Sequence, residues 1–117
     1  MPIMDMGQRA LQLWSVLVLA AMTRTVLTYE EVHALTGLPN NSGDFLGHIH
    51  FYCVQNNLPL LPTLVVGIHT GRPSFPEYNG LEIPVEHRRC FDHDWMGHGV
   101  PTPDQLESAY VAGMASA

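Results

Sequence analysis

TYEEVHALTGLPNNSGDFLGHIHFYCVQNNLPLLPTLVVGIHTGRP, residues 28–73, decides the fold of this 117-residue chain. It opens at Thr28, whose hydroxyl suits an N-cap, and Glu31 three positions on completes the capping-box spacing. Gly37 stops the helix, so Tyr29 to Thr36 form a short one with Val32 and Leu35 toward the core. Leu38-Pro39-Asn40-Asn41 is a turn. The next helix runs from Ser42 to Gln55, with Phe45, Ile49, Tyr52 and Cys53 as its buried stripe. Asn56-Asn57 ends it, and Pro59 and Pro62 bar its continuation. Thr63 to Ile68 is rich in β-branched residues and predicts a strand. His69-Thr70-Gly71-Arg72-Pro73 then turns the chain.

Helix, tight turn, helix, strand and turn is the order of a winged helix-turn-helix, a scaffold that sets its second helix in a DNA groove. The expected class is therefore α+β: a winged helix-turn-helix with a β-hairpin wing and an added C-terminal helix. Upstream, Leu11, Trp14, Val18 and Ala21 recur at spacings of three and four, and Leu13, Leu17 and Leu19 widen that face. They predict a first helix over Met6 to Met22, buried on most sides, followed by the short β-prone segment Thr25-Val26-Leu27. Downstream the chain reads as irregular to about Glu86, with Arg89-Cys90-Phe91 as a short strand. Thr102, Pro103 and Gln105 start a last helix that packs through Leu106, Ala109, Tyr110 and Gly113. A single domain over 1–117 is expected, its core within 6–74 and an extension over 75–117. Leu13, Trp14, Leu17, Val32, Leu35, Phe45, Ile49, Tyr52, Leu64 and Val66 are the predicted core.

Composition turns this shape away from its usual use. The chain has 46% hydrophobic and 14% charged residues, which suits a packed domain. Eleven Asp and Glu stand against five Arg and no Lys, for a formal net charge of -6. Nucleic-acid binding draws on cations that displace condensed counterions, so this balance disfavours DNA. Only Arg9, Arg24, Arg72, Arg88 and Arg89 can build a basic patch. Cys53 and Cys90 make no disulfide framework and read as reduced thiols of a cytoplasmic protein. The apolar run Leu11 to Met22 contains Gln12 and Ser15 and is too short to span a bilayer; it reads as a core helix, and no membrane association is expected.

Thr28-Tyr29 with Glu31-Val32, then Leu35 to Pro39, Leu46-Gly47 and Leu58-Pro59, is similar to the winged-helix domain of alkylguanine-DNA alkyltransferases and alkyltransferase-like proteins. The resemblance covers roughly residues 24 to 74. It departs at the functional positions. The Arg that replaces an extruded base in that family falls at Gly43 or Asp44 here, and Leu60-Leu61-Pro62-Thr63 stands where the alkyl-accepting Pro-Cys-His-Arg would be. The resemblance thus implies a DNA-binder's frame without alkyl transfer. The chain also resembles small bacterial and phage proteins that share its Tyr-Cys, Leu-Pro, Leu-Val-Val and Thr-Gly series and its Phe91 to Trp95 segment.

No enzyme motif is present, and no catalytic residue or cofactor is expected. Cys53 falls on a buried stripe, where a thiol is inert; Cys90 has His87, Arg88 and Arg89 beside it, which would lower its pKa. Cys90, His93 and His98 match no common zinc spacing, and His48 and His50, two apart on a helix, point to different faces. A DNA reader would use Asn40, Asn41, Ser42 and His48 on base edges and Arg72 on phosphate, with Asp44 opposing. The preferred reading is a protein-binding module that meets a basic partner through Asn40, Asn41, Ser42, Asp44, His48, Arg72, Asp92, Asp94 and Trp95. Phe75, Tyr78, Leu81 and Ile83 read as either interface anchors or core cover. Small acidic phage proteins that block nucleic-acid-binding defence enzymes share this profile, and an inhibitor of that kind is the specific expectation.

Overall fold

A capping box starts the first helix, α1 (Met6–Met22), in the computed structural model, which describes residues 5–37 and 43–116. The Asp5 carboxylate accepts the Gln8 N–H at 2.7 Å, and the Gln8 side chain accepts the Asp5 N–H at 2.9 Å. Gly7, Ala10, Leu13, Trp14, Leu17, Ala20 and Ala21 face inward at helical spacing. The helix ends at Thr23, and Arg24 takes a left-handed φ of 55° to redirect the chain. Strand β1 (Leu27–Thr28) leads directly into α2 (Tyr29–Thr36), whose start is fixed by reciprocal Thr28 and Glu31 hydrogen bonds. Gly37, at φ 69°, closes it in the left-handed conformation that glycine adopts without strain.

Helix α3 (Gly43–Gln55) passes through the middle of the molecule, packed on α1 on one side. After Asn57, again left-handed at φ 55°, Leu61–Leu64 wind into a 3-10 turn, and only Val65–Val66 continue as strand β2. The expected strand over 63–68 is thus cut short. Pro62 fixes a helical φ at the start of the turn, the Thr63 hydroxyl donates to the Leu60 carbonyl at 2.7 Å, and Ile68 is already in the next turn and 65% exposed. Strand β2 lies parallel to β1, pairing Leu27 with Val65 and Thr28 with Val66. Among the described residues this pair is the whole sheet, so no antiparallel hairpin follows β2. In its place, Gly67 N–H donates to the Arg72 carbonyl at 3.0 Å and closes a compact turn, with Gly71 at φ 66°.

Beyond residue 74 the chain is more regular than its sequence suggests. A 3-10 turn at Pro76–Tyr78 precedes α4 (Ile83–Asp92), α5 (Trp95–His98) and α6 (Pro103–Ala115). The strand expected at Arg89-Cys90-Phe91 is instead the end of α4. Pro84 sits in the first turn, where its missing N–H costs nothing, and Ile83, Glu86 and Cys90 follow a helical period inward. Helix α6 starts at Thr102 with a capping box to Gln105 and packs on both α1 and α3. A β-carbon on Gly7 would collide with the Pro103 carbonyl, which shows how closely α6 seats on α1.

One core joins these elements. Trp14 is its hub, meeting Tyr52 edge-on at 5.3 Å and Trp95 at 5.7 Å, while the Trp95 indole N–H donates to the Cys90 carbonyl at 2.8 Å. Cys90, Trp95, Leu106 and Ala109 belong to the same cluster as Leu13, Leu17, Val32 and Ile49. Two predicted core members differ. Leu35 is 62% exposed, because the eight-residue α2 turns Val32 and Thr36 inward, with Gln12 Nε2 donating to the Thr36 carbonyl at 3.2 Å. Phe45 is partly buried at the edge of the cluster.

Candidate functional site

The face of α3 that a groove-reading helix would present is covered by α6. Gly47, His48, Phe51 and Gln55 recur at helical spacing, and each meets α6. A β-carbon on Gly47 would stand 3.2 Å from the Tyr110 ring, and one on Gly113 would collide with the Phe51 ring. Gln55 Nε2 donates to the Ala109 carbonyl at 2.9 Å. His48 is completely buried, with Nε2 3.1 Å from a Glu107 carboxylate oxygen and its ring stacked on Tyr110 at 4.1 Å and 5° between planes. Its expected role as a surface contact is corrected: the glycine at 47 lets α6 approach closely, and the imidazole fills the seam.

The remaining predicted contacts fall in several places. Asn40, Asn41 and Ser42 lie outside the described residues, and Asp44 is described only by its backbone in the first turn of α3. Arg72 is exposed at the tip of the turn after β2, where its own N–H bonds the Thr70 hydroxyl at 3.2 Å. Asp92 ends α4 and pairs with Arg24 at 3.0 Å, both side chains largely in solvent, and the Arg24 guanidinium lies 5.4 Å from the Phe91 ring centroid. Asp94 caps α5 by accepting the Gly97 N–H at 2.9 Å. Trp95 is 3% exposed and belongs to the core, so it is corrected as a contact residue; an indole whose N–H finds a carbonyl partner inside is better buried than exposed.

Both cysteines are free thiols and buried. Burial pushes both the Cys53 and Cys90 thiols up to about 12. The lowering expected for Cys90 is overturned by its burial, which outweighs the opposing Thr63 hydrogen bond and Arg89 charge; Arg89 also pairs with Glu86 at 2.8 Å, and His87 meets the Thr63 carbonyl at 2.6 Å. Glu86 itself is buried and accepts the Leu60 N–H at 2.8 Å, pinning α4 to the 3-10 turn. His98 Nε2 meets the Tyr52 hydroxyl at 2.7 Å. His93 stands edge-on to Trp95, and its buried Nε2 has no hydrogen-bond partner among the described residues. Among the described residues no group of three or more His, Cys, Asp or Glu is gathered as metal ligands, and no helix is long and apolar enough to cross a membrane.

A cleft at the edge of this seam was not anticipated from the sequence. It encloses about 250 Å³ between α3, the far half of α6 and the Pro76–Tyr78 turn, and is lined by His50, Phe51, Phe75, Glu77, Tyr110 and Met114. His50 Nδ1 and the Tyr78 hydroxyl are 2.7 Å apart, and Phe75 stacks on Tyr78 at 5.4 Å. Burial lowers the His50 pKa from its ordinary value, opposed in part by the Glu77 charge. Of the four apolar residues marked as anchors or core cover, Tyr78 and Ile83 are core, while Phe75 opens onto the cleft. The pairs Gly47/Phe51 and Tyr110/Met114, each four apart on a helix, were the available signal, but only the tertiary approach of Phe75 and Glu77 turns them into a cleft.

Compared with protein-family models, curated proteins and solved structures, the chain matches none of them.

Proposed function

We propose that this chain is a non-enzymatic, acidic protein-binding module on a winged-helix-like frame, and that its partner presents a basic surface. The observation that carries the reading is the covered helix. His48 is buried beneath α6, so this side chain of the would-be recognition helix is withdrawn from base edges. Charge supports it: a net -6 with no Lys, and two of the five Arg already held by Asp92 and Glu86. An acidic surface steers a basic partner and rejects nucleic acid by the same field. An inhibitor of a nucleic-acid enzyme, whose own binding groove is basic, is the narrower form of this reading.

The test pairs two measurements. Labelled duplex DNA titrated at low and high salt is expected to bind weakly at both, with no dependence on Arg72. A basic partner is expected to associate at a rate that falls with added salt and falls again in Asp44→Arg, with a smaller change in dissociation. Tight, sequence-specific duplex binding lost in Arg72→Ala would overturn the reading in favour of a DNA regulator that uses α3 and the Gly67–Pro73 turn.

A further inference from the structure

We propose that the cleft between α3, α6 and the Pro76–Tyr78 turn is the anchor site for an arginine side chain of the basic partner. The inference deepens the protein-binding reading and rests on it for the source of the arginine. It begins with the lining. Phe51, Phe75 and Tyr110 give aromatic walls, Met114 adds a polarizable thioether, and Glu77 stands at the edge as the cleft's carboxylate. About 250 Å³ is room for one long side chain, not for a helix or a strand.

The chemistry selects among occupants. Glu77 makes no hydrogen bond or ion pair with any described residue, so an apolar occupant would strip water from a carboxylate and offer it no partner. An anionic occupant would meet Glu77 inside a chain of net charge -6. A cation satisfies both the ring faces and the carboxylate. Among cations, a guanidinium is flat, weakly hydrated and able to stack on a ring while donating to a carboxylate, whereas an ammonium is compact and holds its water. Phe75 is suited to such stacking: Tyr78 covers one face, and its other ring contact, with His50, is edge-on. His50 is held on the Tyr78 hydroxyl, and burial favours its neutral form, which lessens its repulsion of an incoming cation.

The walls are built with little slack. Phe51 rests against Gly113 where any β-carbon would collide with it, and it meets Tyr110 at 6.1 Å and His50 at 5.1 Å, both edge-on. Tyr110 is in turn backed by the buried His48. Rings fixed in this way lose little freedom when a side chain enters, which is the condition for a useful anchor.

The test uses the full chain and defined probes. Amide chemical shifts are followed by NMR during titration with Nα-acetyl-arginine methylamide, its neutral isostere Nα-acetyl-citrulline methylamide, and Nα-acetyl-lysine methylamide. The arginine probe is expected to give saturable shifts at Gly47, Phe51 and Tyr110 with a Kd on the order of 1 mM, the citrulline probe to bind at least about fivefold more weakly, and the lysine probe to fall between. Glu77→Gln, a surface change compatible with folding, is expected to weaken arginine about threefold to fivefold, while Glu30→Gln on α2 leaves it unchanged. No saturable shift at these amides, or citrulline binding as well as arginine, overturns the site. Separately, the Kd of an arginine-rich peptide is measured against Glu77→Gln and Phe75→Leu. A loss of at least about tenfold in Phe75→Leu supports the anchor; wild-type affinity in both variants overturns it while leaving the protein-binding reading intact.

Discussion

His48 and His50 sit two residues apart on one helix and live in opposite environments. His48 closes the seam between α3 and α6, fully buried, stacked on Tyr110 and paired with Glu107. His50 lines an open cleft, tied by one nitrogen to the Tyr78 hydroxyl. Their spacing alone states that they diverge. What it does not state is which neighbour arrives on each side, and that is decided by small residues. Gly47 and Gly113 let α6 come within ring contact of α3 on the His48 side, whereas the Pro76–Tyr78 turn approaches the His50 side without filling it. The same helix therefore supplies a packed joint and a recess.

The largest expected effect breaks both regions together. Trp14→Ala removes the ring on which Tyr52 and Trp95 rest and should cost about 3–5 kcal/mol, read by chemical denaturation. A loss under about 1 kcal/mol would show that the seam and the cleft do not share a common frame. Next, His48→Ala should cost about 2–4 kcal/mol, since it leaves a void and removes the Glu107 pairing and the Tyr110 stacking contact. His50→Ala should cost only about 1 kcal/mol, because its site is already open. Equal losses at 48 and 50 would erase the contrast.

Gly113→Ala should destabilise by about 1–3 kcal/mol through collision with Phe51, and Phe51→Leu should recover part of that loss, a coupling that double-mutant analysis detects. Additive losses would mean that α6 does not approach through this pair. The smallest effect is in pH. The folded-state pKa of His50 lies below its ordinary 6.5, so the unfolded chain binds the proton more readily. Its contribution is whole above that value and is lost as pH falls through it toward the folded-state pKa. The wild type should therefore lose more stability than His50→Gln between pH 7 and about 5.5; identical slopes would place His50 in water.

Local chemistry was the legible part of this molecule. The stop of α2 at Gly37 and the starts of α2 and α6 follow from residues that act on their own backbone within four positions, α1 follows from its apolar spacing, and the structure places them as read. Errors came where a distant element decides. Leu35 has the pattern of a core residue, but α2 is too short to bury two faces. Arg89-Cys90-Phe91 has no helical signal alone and acquires one from Pro84 and Glu86 upstream. Val65-Val66 is β-prone as read, yet its partner is β1 and not a following strand, a choice that propensity does not encode. His48 and Trp95 were read as surface because polar and amphipathic residues usually are; a stacked, paired imidazole and a bonded indole are the exceptions that only packing reveals. The cleft was invisible for the same reason, since its walls come from three separated segments.

The two-residue pairing of β1 with β2 also has a kinetic meaning. Leu27 and Val65 lie on opposite sides of α2 and α3 in the sequence, so their contact closes a long loop while gaining very few ladder bonds. Such a pair cannot nucleate. It is expected to form after α1 and α3 have collapsed onto each other and then to lock the intervening α2 in place. Weakening it, as by Val66→Ala, should leave the folding rate nearly unchanged and speed unfolding, so the sheet acts as a latch on the native state and has no part in finding it.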